Sequence, residues 1–267
     1  MACPEHRHYR SLFVSDLHLG SAGCRAGEFL EFLKHTDSDY LYLVGDIVDG
    51  WRLRKRWYWP QAHNDIIQKI LRKARKGTKV FYIPGNHDEA ARQYVGFSFG
   101  EIEIFDDMIH ETADGRRLLV IHGDQFDQVM HYAPWLANLG DTTYTLLLVF
   151  NRFLNTIRRL FNLPYWSLSQ YLKLKVKRAV SFISAFETMM VREARRRGCD
   201  GVVCGHIHKA ELSRMEEILY ANDGDWVESL TALAEHHDGR LEILDCQHYS
   251  NLQPAAAGSR TTARKSA

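Results

Sequence analysis

Five short segments of this sequence place a residue that can bind a metal ion or exchange a proton directly after an apolar run. One segment, at 85–88, follows the β-branched and aromatic run at 80–84, which predicts a buried strand that ends in a tight loop. Asn86 offers a neutral amide oxygen to a metal, His87 can exchange a proton near neutral pH, and Asp88 can orient that imidazole. A single polar loop of this kind is weak evidence for a site, because polar loop residues are usually just solvated.

The same arrangement recurs at four other places along the chain. Asp16 and His18 lie two positions apart at the end of an extended segment, so their side chains point the same way and can hold one ion. Asp46 follows the apolar run at 40–44, and its two carboxylate oxygens could bridge two ions. In open α/β folds, ligands gather beyond the carboxyl ends of strands. The candidate metal ligands are, in chain order, Asp16, His18, Asp46, Asn86, His122, His206 and His208.

All donors in this set are oxygen or nitrogen atoms, and none is a thiolate. Such a set suits manganese, iron or zinc, less firmly magnesium, and does not suit a structural zinc site. Each histidine taken alone is more simply explained as a core or surface residue. Metal-binding residues at five strand ends are much harder to explain by accident, so the sequence predicts a metal centre.

The apolar periodicity predicts the elements that must carry these residues. Strands that alternate with amphipathic helices, at 27–37 and 66–76, indicate a largely parallel sheet in an α/β protein. Asp114-Gly115 predicts a hairpin turn, and Asn222-Asp223-Gly224-Asp225 predicts a turn between the strands at 219–221 and 226–233. The predicted strands lie at 12–14, 40–44, 80–83, 102–105, 118–121, 201–204, 219–221, 226–233 and 241–244, and the last three are assigned to a second sheet.

The overall composition excludes several classes of protein. The chain has 267 residues, of which 45% are hydrophobic, so it can bury one large core or a core with a subdomain. The 34 lysines and arginines nearly balance 33 acidic residues, which gives no global signature of a nucleic-acid-binding protein. Five cysteines without a Cys-x-x-Cys pair argue against a zinc ribbon or a disulfide scaffold. The polar N-terminal segment does not resemble a signal peptide, so a cytoplasmic location is expected.

Two further regions could contact a substrate. Residues 51–58 form a predicted loop of basic and aromatic residues, Arg52 among them, that could hold a phosphate or a nucleobase, and a solvated rim is an equal alternative. Residues 129–197 are predicted to form a helical cap inserted into a catalytic domain made of 1–128 and 198–253. The small and basic residues at 254–267 predict a disordered tail.

The predicted cap contains two amphipathic helices. The first, at 146–162, has an apolar run too short to span a bilayer, and its apolar face would suit a membrane surface, an acyl-chain pocket or packing on its own domain. The second, at 168–197, presents Lys173 and Lys177 four positions apart, where they could hold a substrate diphosphate. The apolar face predicted for the second helix consists of Leu172, Val176, Val180, Ile183, Phe186 and Met190.

Taken together, the five segments resemble the ordered signature of the calcineurin-like metallophosphoesterases. The resemblance implies a sandwich of two β-sheets flanked by helices, with a dinuclear metal centre. It also implies that His87 contacts the phosphate and protonates the leaving group, and that Asp88 supports His87. Carried over by motif, the first metal is bound by Asp16, His18 and His208, the second by Asn86, His122 and His206, and Asp46 bridges them.

The chemistry implied by the resemblance is hydrolysis of a phosphoester or a diphosphate. Two divalent ions, with manganese preferred and iron or zinc as alternatives, lower the pKa of a bridging water and neutralise phosphate oxygens. Hydroxide is then available near pH 7, so no serine or cysteine nucleophile is needed. This reaction requires a small-molecule or lipid substrate that carries a phosphoester, and no nucleic-acid partner is expected.

Within the family, the helical insertion and the segments at 15–21 and 222–229 resemble the UDP-2,3-diacylglucosamine diphosphatases of lipid A synthesis and a branch grouped with them. This resemblance implies release of UMP and 2,3-diacylglucosamine 1-phosphate at the cytosolic membrane face. Those diphosphatases carry Arg where this chain has His87. The alternatives are a phosphodiesterase or phosphatase for another lipid-linked or nucleotide substrate, and a catalytically inactive binding scaffold. A protein serine/threonine phosphatase is disfavoured, because Gly50-Trp51 follows Asp49 where that group has Arg-Gly.

Overall fold

A computed structural model describes residues 6–129 and 168–252 of the chain. They form two β-sheets that pack face to face, with helices on the outer faces. The helices are α1 (Ala26–His35), α2 (Gly50–Lys55), α3 (Gln61–Arg75) and α4 (Leu168–Arg196). The strands are β1 (Arg7–Val14), β2 (Thr36–Val44), β3 (Lys79–Ile83), β4 (Ser98–Phe99), β5 (Ile102–Ile104), β6 (Met108–Glu111), β7 (Arg117–Val120), β8 (Gly201–Cys204), β9 (Glu211–Met215), β10 (Ile218–Asn222), β11 (Thr231–Glu235) and β12 (Leu241–Asp245).

The first sheet has seven strands in the order β12-β11-β1-β2-β3-β5-β4. β1, β2, β3 and β5 are parallel, because α1 and α3 supply the crossovers between the first three. Phe29 and Phe32 of α1, with Ile66 and Ile70 of α3, pack against one face of this sheet. The central strands are therefore buried on both faces, which explains why they read as continuous apolar runs.

The second sheet has five strands in the order β6-β7-β8-β10-β9, of which β7, β8 and β10 are parallel. Its inner face packs on the first sheet through Phe13, Tyr42, Val120 and Val203. The C-terminal half of α4 covers its outer face. The predicted two-sheet sandwich with flanking helices is thus confirmed.

Three predicted elements differ from the structure. The segment at 51–58 was expected to be a loop, but it begins with the helix α2, which Asp49 caps by accepting a hydrogen bond from the backbone N–H of Arg52 at 2.9 Å. The predicted strand at 226–233 starts only at Thr231, because Asp225 accepts hydrogen bonds from the following backbone N–H groups and turns the chain. Trp226 is buried against α1 instead, with its ring 4.6 Å from that of Phe29.

The third difference concerns sheet assignment. Of the three strands that were assigned to the second sheet, only the one at 218–222 joins it. β11 and β12 belong to the first sheet, because β11 pairs antiparallel with β1 and β12 pairs with β11. In α4, Phe186 and Met190 are buried as predicted, whereas Val180 is 60% exposed because it precedes the part of the helix that packs on the sheet.

Several predictions lie outside the residues that the structure describes. The helix at 146–162 and the tail at 254–267 are among them, and the side chains of Lys173 and Lys177 are too, although their backbone belongs to α4. The division into catalytic domain, cap and tail stays a prediction. Among residues 6–129 and 168–252, no helix has the length and apolarity that a bilayer-spanning segment needs.

Candidate metal centre

The candidate ligands lie in the loops that follow the carboxyl ends of five parallel strands. Asp16 and His18 follow β1, Asp46 follows β2, Asn86 follows β3, His122 follows β7, and His206 and His208 follow β8. Backbone hydrogen bonds join these loops, as between the N–H of Asp16 and the carbonyl of Gly45 at 3.1 Å. Because the two sheets pack with these ends at the same edge, the five loops converge there.

Five of the seven candidate ligands have a left-handed backbone. The φ angles are 51° at Asp16, 53° at His18 and Asp46, 72° at His206 and 54° at His208. Residues with a side chain rarely adopt this conformation, which costs roughly 1–3 kcal/mol and is concentrated at functional sites. The conformation turns the chain sharply, so that consecutive ligands face one point.

The side chains form two clusters, and one carboxylate of the second also lies near the first. In the first, the Asp16 Oδ1 lies 3.2 Å from the Nε2 of His208 and 3.7 Å from the Nε2 of His18. The second consists of Asp46, His122 and His206, and the Nε2 of His122 lies 3.6 Å from the Asp46 Oδ2. The same oxygen is 3.9 Å from the Nε2 of His18. Asp46 therefore stands between the two clusters, as a bridging ligand would.

Three buried side-chain atoms that could bind a metal at this site have no hydrogen-bond partner among the described residues. They are the Asp16 Oδ1, the Asn86 Oδ1 and the His122 Nε2. Leaving such an atom buried and unpaired costs about 1–3 kcal/mol, so groups of them call for a ligand. All three carry a lone pair toward the site, and this is the arrangement that a divalent cation fits.

The surroundings of His122 select the form that can bind a metal. Its Nδ1 lies 2.8 Å from the carbonyl oxygen of Val44, to which it donates. The neutral ring then has its lone pair on Nε2, which faces Asp46. Gly45 permits this contact, since a Cβ there would lie 2.2 Å from the His122 ring.

Charges at the site reinforce one another. Burial raises the pKa of Asp16, but His208 and His18 lower it by a larger amount, so this pKa lies well below its usual value. Burial lowers the pKa of His18, but the neighbouring carboxylates of Asp16 and Asp49 raise it to about 10. Asp46 outweighs the burial of His122 in the same way and raises the pKa of that ring well above its usual value. The carboxylates thus favour positive charge at this site, so a metal ion bound there would compete with the protons on the imidazoles.

The residue that orients His87 is Asp49. Its Oδ1 lies 3.1 Å from the Nδ1 of His87. Asp88, which was predicted to support His87, instead accepts hydrogen bonds from the backbone N–H groups of Gly85 at 2.6 Å and Ile47 at 2.8 Å. Asp88 therefore ties two site loops together, because its short side chain turns back toward its own loop.

The rim of the site carries residues from α2. The Trp51 ring lies 4.2 Å from the ring of His87, at an interplanar angle of 34°. Arg52, a predicted substrate contact, is paired with Asp49 at 3.3 Å and its side chain is 69% exposed. The structure thus places Arg52 beside the site with its guanidinium open to solvent.

The loop after β10, which was predicted only as a turn, also reaches the site. Asp225 Oδ1 lies 3.9 Å from the Nδ1 of His208. The Ser15 Oγ lies 2.6 Å from both the Asp16 Oδ2 and the Asp223 Oδ1, although one hydroxyl can donate only once. Burial and the nearby carboxylate of Asp16 raise the pKa of Asp223 well above its usual value, because both disfavour its ionised form. The sequence contained a signal for this part of the site, because this loop is a sixth polar segment that follows an apolar strand.

Comparisons with known proteins bear on the same site. The sequence pattern of the calcineurin-like phosphoesterases matches residues 9–210. A UDP-2,3-diacylglucosamine hydrolase from Aliivibrio fischeri is 24% identical over 245 residues, which are 85% of this chain and 94% of that protein. The corresponding hydrolase from Xanthomonas campestris is 34% identical over 122 residues, 43% of this chain and 46% of that protein.

Other similar proteins carry different names. A DNA polymerase II small subunit from Methanothermobacter thermautotrophicus is 27% identical over 148 residues, so the match covers 44% of this chain but only 31% of that subunit. Among solved structures, a Vps29 variant from Entamoeba histolytica has a TM-score of 0.43 at 12% identity, over 88% of this chain and 98% of the other. YfcE, a phosphoesterase from E. coli, has a TM-score of 0.39 at 14% identity, over 89% and 99%.

The family match covers more than half of the 267 residues, and it includes all seven candidate ligands and the strands that carry them. The predicted resemblance is therefore confirmed: this chain belongs to the calcineurin-like phosphoesterase family.

Proposed function

We propose that this protein hydrolyses a phosphoester or a diphosphate at a two-metal centre. The observation that carries the proposal is the pair of clusters joined at Asp46, with three buried donor atoms that lack hydrogen-bond partners among the described residues. A scaffold that had lost catalysis would be expected to lack ligands, whereas all seven candidates are present in the sequence. Membership in a family of metal-dependent hydrolases supports the same reaction class.

Each metal position would use side chains from one cluster. Asp16, His18 and His208 would hold the first ion, and His122, His206 and Asn86 the second, with Asp46 between them. Two divalent ions held there would polarise the phosphate and supply a water of lowered pKa. Manganese is the proposed metal, with iron and zinc as alternatives, because the donors are imidazoles and oxygens.

The protein's own groups would position the substrate and move one proton. His87 stands at the edge of the centre, with its side chain 23% exposed, and its Nε2 is turned toward the site, 3.9 Å from the Asp46 Oδ2. We assign it contact with the phosphate and donation of a proton to the leaving oxygen. Asp49 holds the other ring nitrogen and so sets the direction of that donation. Asp88 would act indirectly, by fixing the loop that carries His87.

We propose UDP-2,3-diacylglucosamine as the substrate, cleaved to UMP and 2,3-diacylglucosamine 1-phosphate. Support comes from the relative in Aliivibrio fischeri, whose match extends over nearly the whole of both chains. Arg52, Lys173 and Lys177 would bind the diphosphate, and the enzyme would act in the cytoplasm at the inner face of the membrane. A second candidate is a phosphodiesterase for a nucleotide or nucleic-acid substrate, and the polymerase small subunit among the relatives favours it.

Metal dependence can be tested with protein stripped of metal by a chelator. We expect activity to return when Mn²⁺ is added, and to be lost in His122→Ala. His236→Ala is the matched control, because His236 lies in the turn after β11 and pairs with Glu242 rather than with the site. Full activity of His122→Ala, or activity of the stripped protein without added metal, would contradict the two-metal proposal.

The substrate is tested separately with UDP-2,3-diacylglucosamine, a generic phosphodiester and a short single-stranded oligonucleotide. Release of UMP at a much higher kcat/KM than hydrolysis of the other two supports the lipid assignment. Metal-dependent hydrolysis of the oligonucleotide without UMP release would overturn the proposed lipid substrate in favour of a nucleic acid, and it would leave the proposal of a two-metal centre unchanged.

A further inference from the structure

Residues 54–58 form an exposed ridge of cations and aromatic rings at the end of α2. Arg54, Lys55 and Arg56 are exposed, Trp57 is 74% exposed and Tyr58 is 43% exposed. No acidic residue occurs between Gly50 and Pro60. We call these five residues the 54–58 ridge.

The cations of the ridge have no counterions in the described part of the chain. The nearest ion pair joins Arg52 to Asp49, and within residues 6–129 and 168–252 no carboxylate pairs with Arg54, Lys55 or Arg56. Since the whole chain carries a formal net charge of only +1, this cluster is a local feature and not a consequence of a basic protein. Three adjacent unpaired cations create a positive surface that complements an anionic one.

The ridge is held firmly although its side chains are exposed. Asp49 caps the start of α2, and Leu53 packs so closely on Gly20 that a Cβ at Gly20 would lie 2.7 Å from the Leu53 Cγ. Beyond the ridge, the Trp59 Nε1 donates to the Asn64 Oδ1 at 2.9 Å. The Trp57 ring lies 6.1 Å from that of Trp59 and the Tyr58 ring 6.0 Å from that of His63, so each has one aromatic neighbour within the fold. The large part of each ring that stays open to water points to an external partner.

We propose that the 54–58 ridge docks the protein on an anionic lipid surface. Tryptophan and tyrosine prefer the boundary between lipid headgroups and acyl chains, and neighbouring lysines and arginines bind anionic headgroups. The ridge begins one helical turn beyond Trp51, which contacts His87, so docking would place the metal centre close to the lipid surface. This inference adds a partner surface to the proposed function and does not depend on which substrate is cleaved.

A nucleic-acid partner fits the ridge less well. Proteins that bind single strands use a basic groove that follows about four or more nucleotides, with rings spaced along it. Here the cations occupy the end of a six-residue helix, which is about 9 Å long. The other exposed aromatic pair, Phe97 and Phe99, lies near Glu101 and Glu103, so it does not extend a basic track.

The proposal is tested by sedimentation of the full chain with vesicles of phosphatidylcholine, with and without phosphatidylglycerol. We expect binding to the anionic vesicles that weakens with added salt. The variant Arg54→Gln/Lys55→Gln/Arg56→Gln should bind about a hundredfold more weakly, because each basic residue near an anionic surface strengthens binding about fivefold. The variant Trp57→Ser/Tyr58→Ser should lose the part of the binding that resists salt.

Two matched controls separate the ridge from general charge and hydrophobicity. Arg72→Gln/Arg75→Gln/Lys76→Gln removes three exposed cations from the far end of α3, which lies at the opposite edge of the sheet. Phe97→Ser/Phe99→Ser removes two exposed rings from another part of the surface. Both controls should bind vesicles as the unchanged protein does.

The proposal is overturned if the ridge variants and their controls bind equally, or if the unchanged protein binds neutral and anionic vesicles alike. It is also overturned if only a single-stranded oligonucleotide, and no vesicle, distinguishes the ridge variant from its control. Hydrolysis of a soluble phosphodiester, measured on the same variants, reports on the metal centre independently. Loss of vesicle binding with that activity intact therefore supports the ridge, whereas inactivity of every protein contradicts only the proposed function.

Discussion

Replacement of Glu235 by glutamine tests how far one buried carboxylate stabilises the sandwich. The Glu235 side chain is fully buried beside β1. Its Oε2 accepts hydrogen bonds from Ser11 at 2.6 Å and lies 2.7 Å from the Nε2 of His110. The Arg10 Nη1 donates to both carboxylate oxygens at 2.8 Å, and the backbone N–H of Ala113 donates to the Oε1. This network joins the two sheets, because His110 belongs to β6.

The pKa of Glu235 sets the expected magnitude. Burial raises this pKa, but hydrogen bonds from His110, Ser11 and the Ala113 N–H outweigh burial and hold the pKa at about 2, against 4.5 for an ordinary glutamate. At about 1.4 kcal/mol per pKa unit, the ionised form contributes about 3 kcal/mol to the free energy of unfolding. A glutamine cannot supply this contribution, because its neutral amide has an NH2 group in place of one carboxylate oxygen. That group cannot accept the hydrogen bond from the Arg10 guanidinium.

The sign of the pH dependence follows from the lowered pKa in the folded state. The stabilisation is fully present above about pH 4.5, where Glu235 is ionised in both folded and unfolded chains, and it is lost as the pH falls toward about 2. Urea unfolding of Glu235→Gln at neutral pH should therefore show a loss of about 3 kcal/mol. The difference from the unchanged protein should narrow as the pH falls between these two values.

Glu242→Gln provides the matched control. Glu242 lies on the neighbouring strand β12 and pairs with Arg240 at 3.1 Å, but its side chain is 41% exposed. An exposed pair of this kind contributes at most about 1 kcal/mol. If Glu235→Gln is no more destabilising than Glu242→Gln, or if the difference in stability does not change with pH, the reasoning is wrong.

Three further predictions concern the metal centre. In Gly85→Ala the new Cβ would lie 2.4 Å from the Asp46 Oδ1, so metal analysis of the purified protein should find less bound metal. Asp49→Ala should lower kcat about 10- to 100-fold, because His87 loses its orienting carboxylate. Asp223→Asn should keep its activity, because the amide oxygen can still accept the hydrogen bond of the Ser15 hydroxyl, whereas Asp223→Leu should lose about 10- to 100-fold in activity. Equal activities of the two variants would refute a role for that hydrogen bond.

The positions of the candidate ligands could be predicted from the sequence because each one depends on local signals. An apolar run of strand length predicts a buried strand, and a polar residue directly after it predicts the loop at its carboxyl end. Asp16, Asp46, Asn86, His122 and His206 all follow this rule, and the structure brings them to one edge. The two-sheet architecture was likewise expected, through the family that these segments resemble.

The pairings among those residues could not be predicted in the same way. Asp88 is adjacent to His87 in sequence, yet Asp49, 38 positions earlier, contacts the imidazole because the loops after β2 and β3 meet. Asp223 looked like a turn residue, but the chain returns it to Ser15, 208 positions away.

Sheet membership and ring burial show the same limit. The apolar pattern identified β11 and β12 as strands, but alternation of side chains is the same whichever sheet a strand joins, and only pairing with β1 decided that they belong to the first sheet. Trp57 and Trp226 both have polar neighbours in the sequence, yet Trp57 is exposed and Trp226 is buried against α1. Local sequence thus determined where the strands that carry the candidate ligands end and which chemistry follows them. Long-range packing decided which groups touch, because contact energies between distant segments depend on the complete fold.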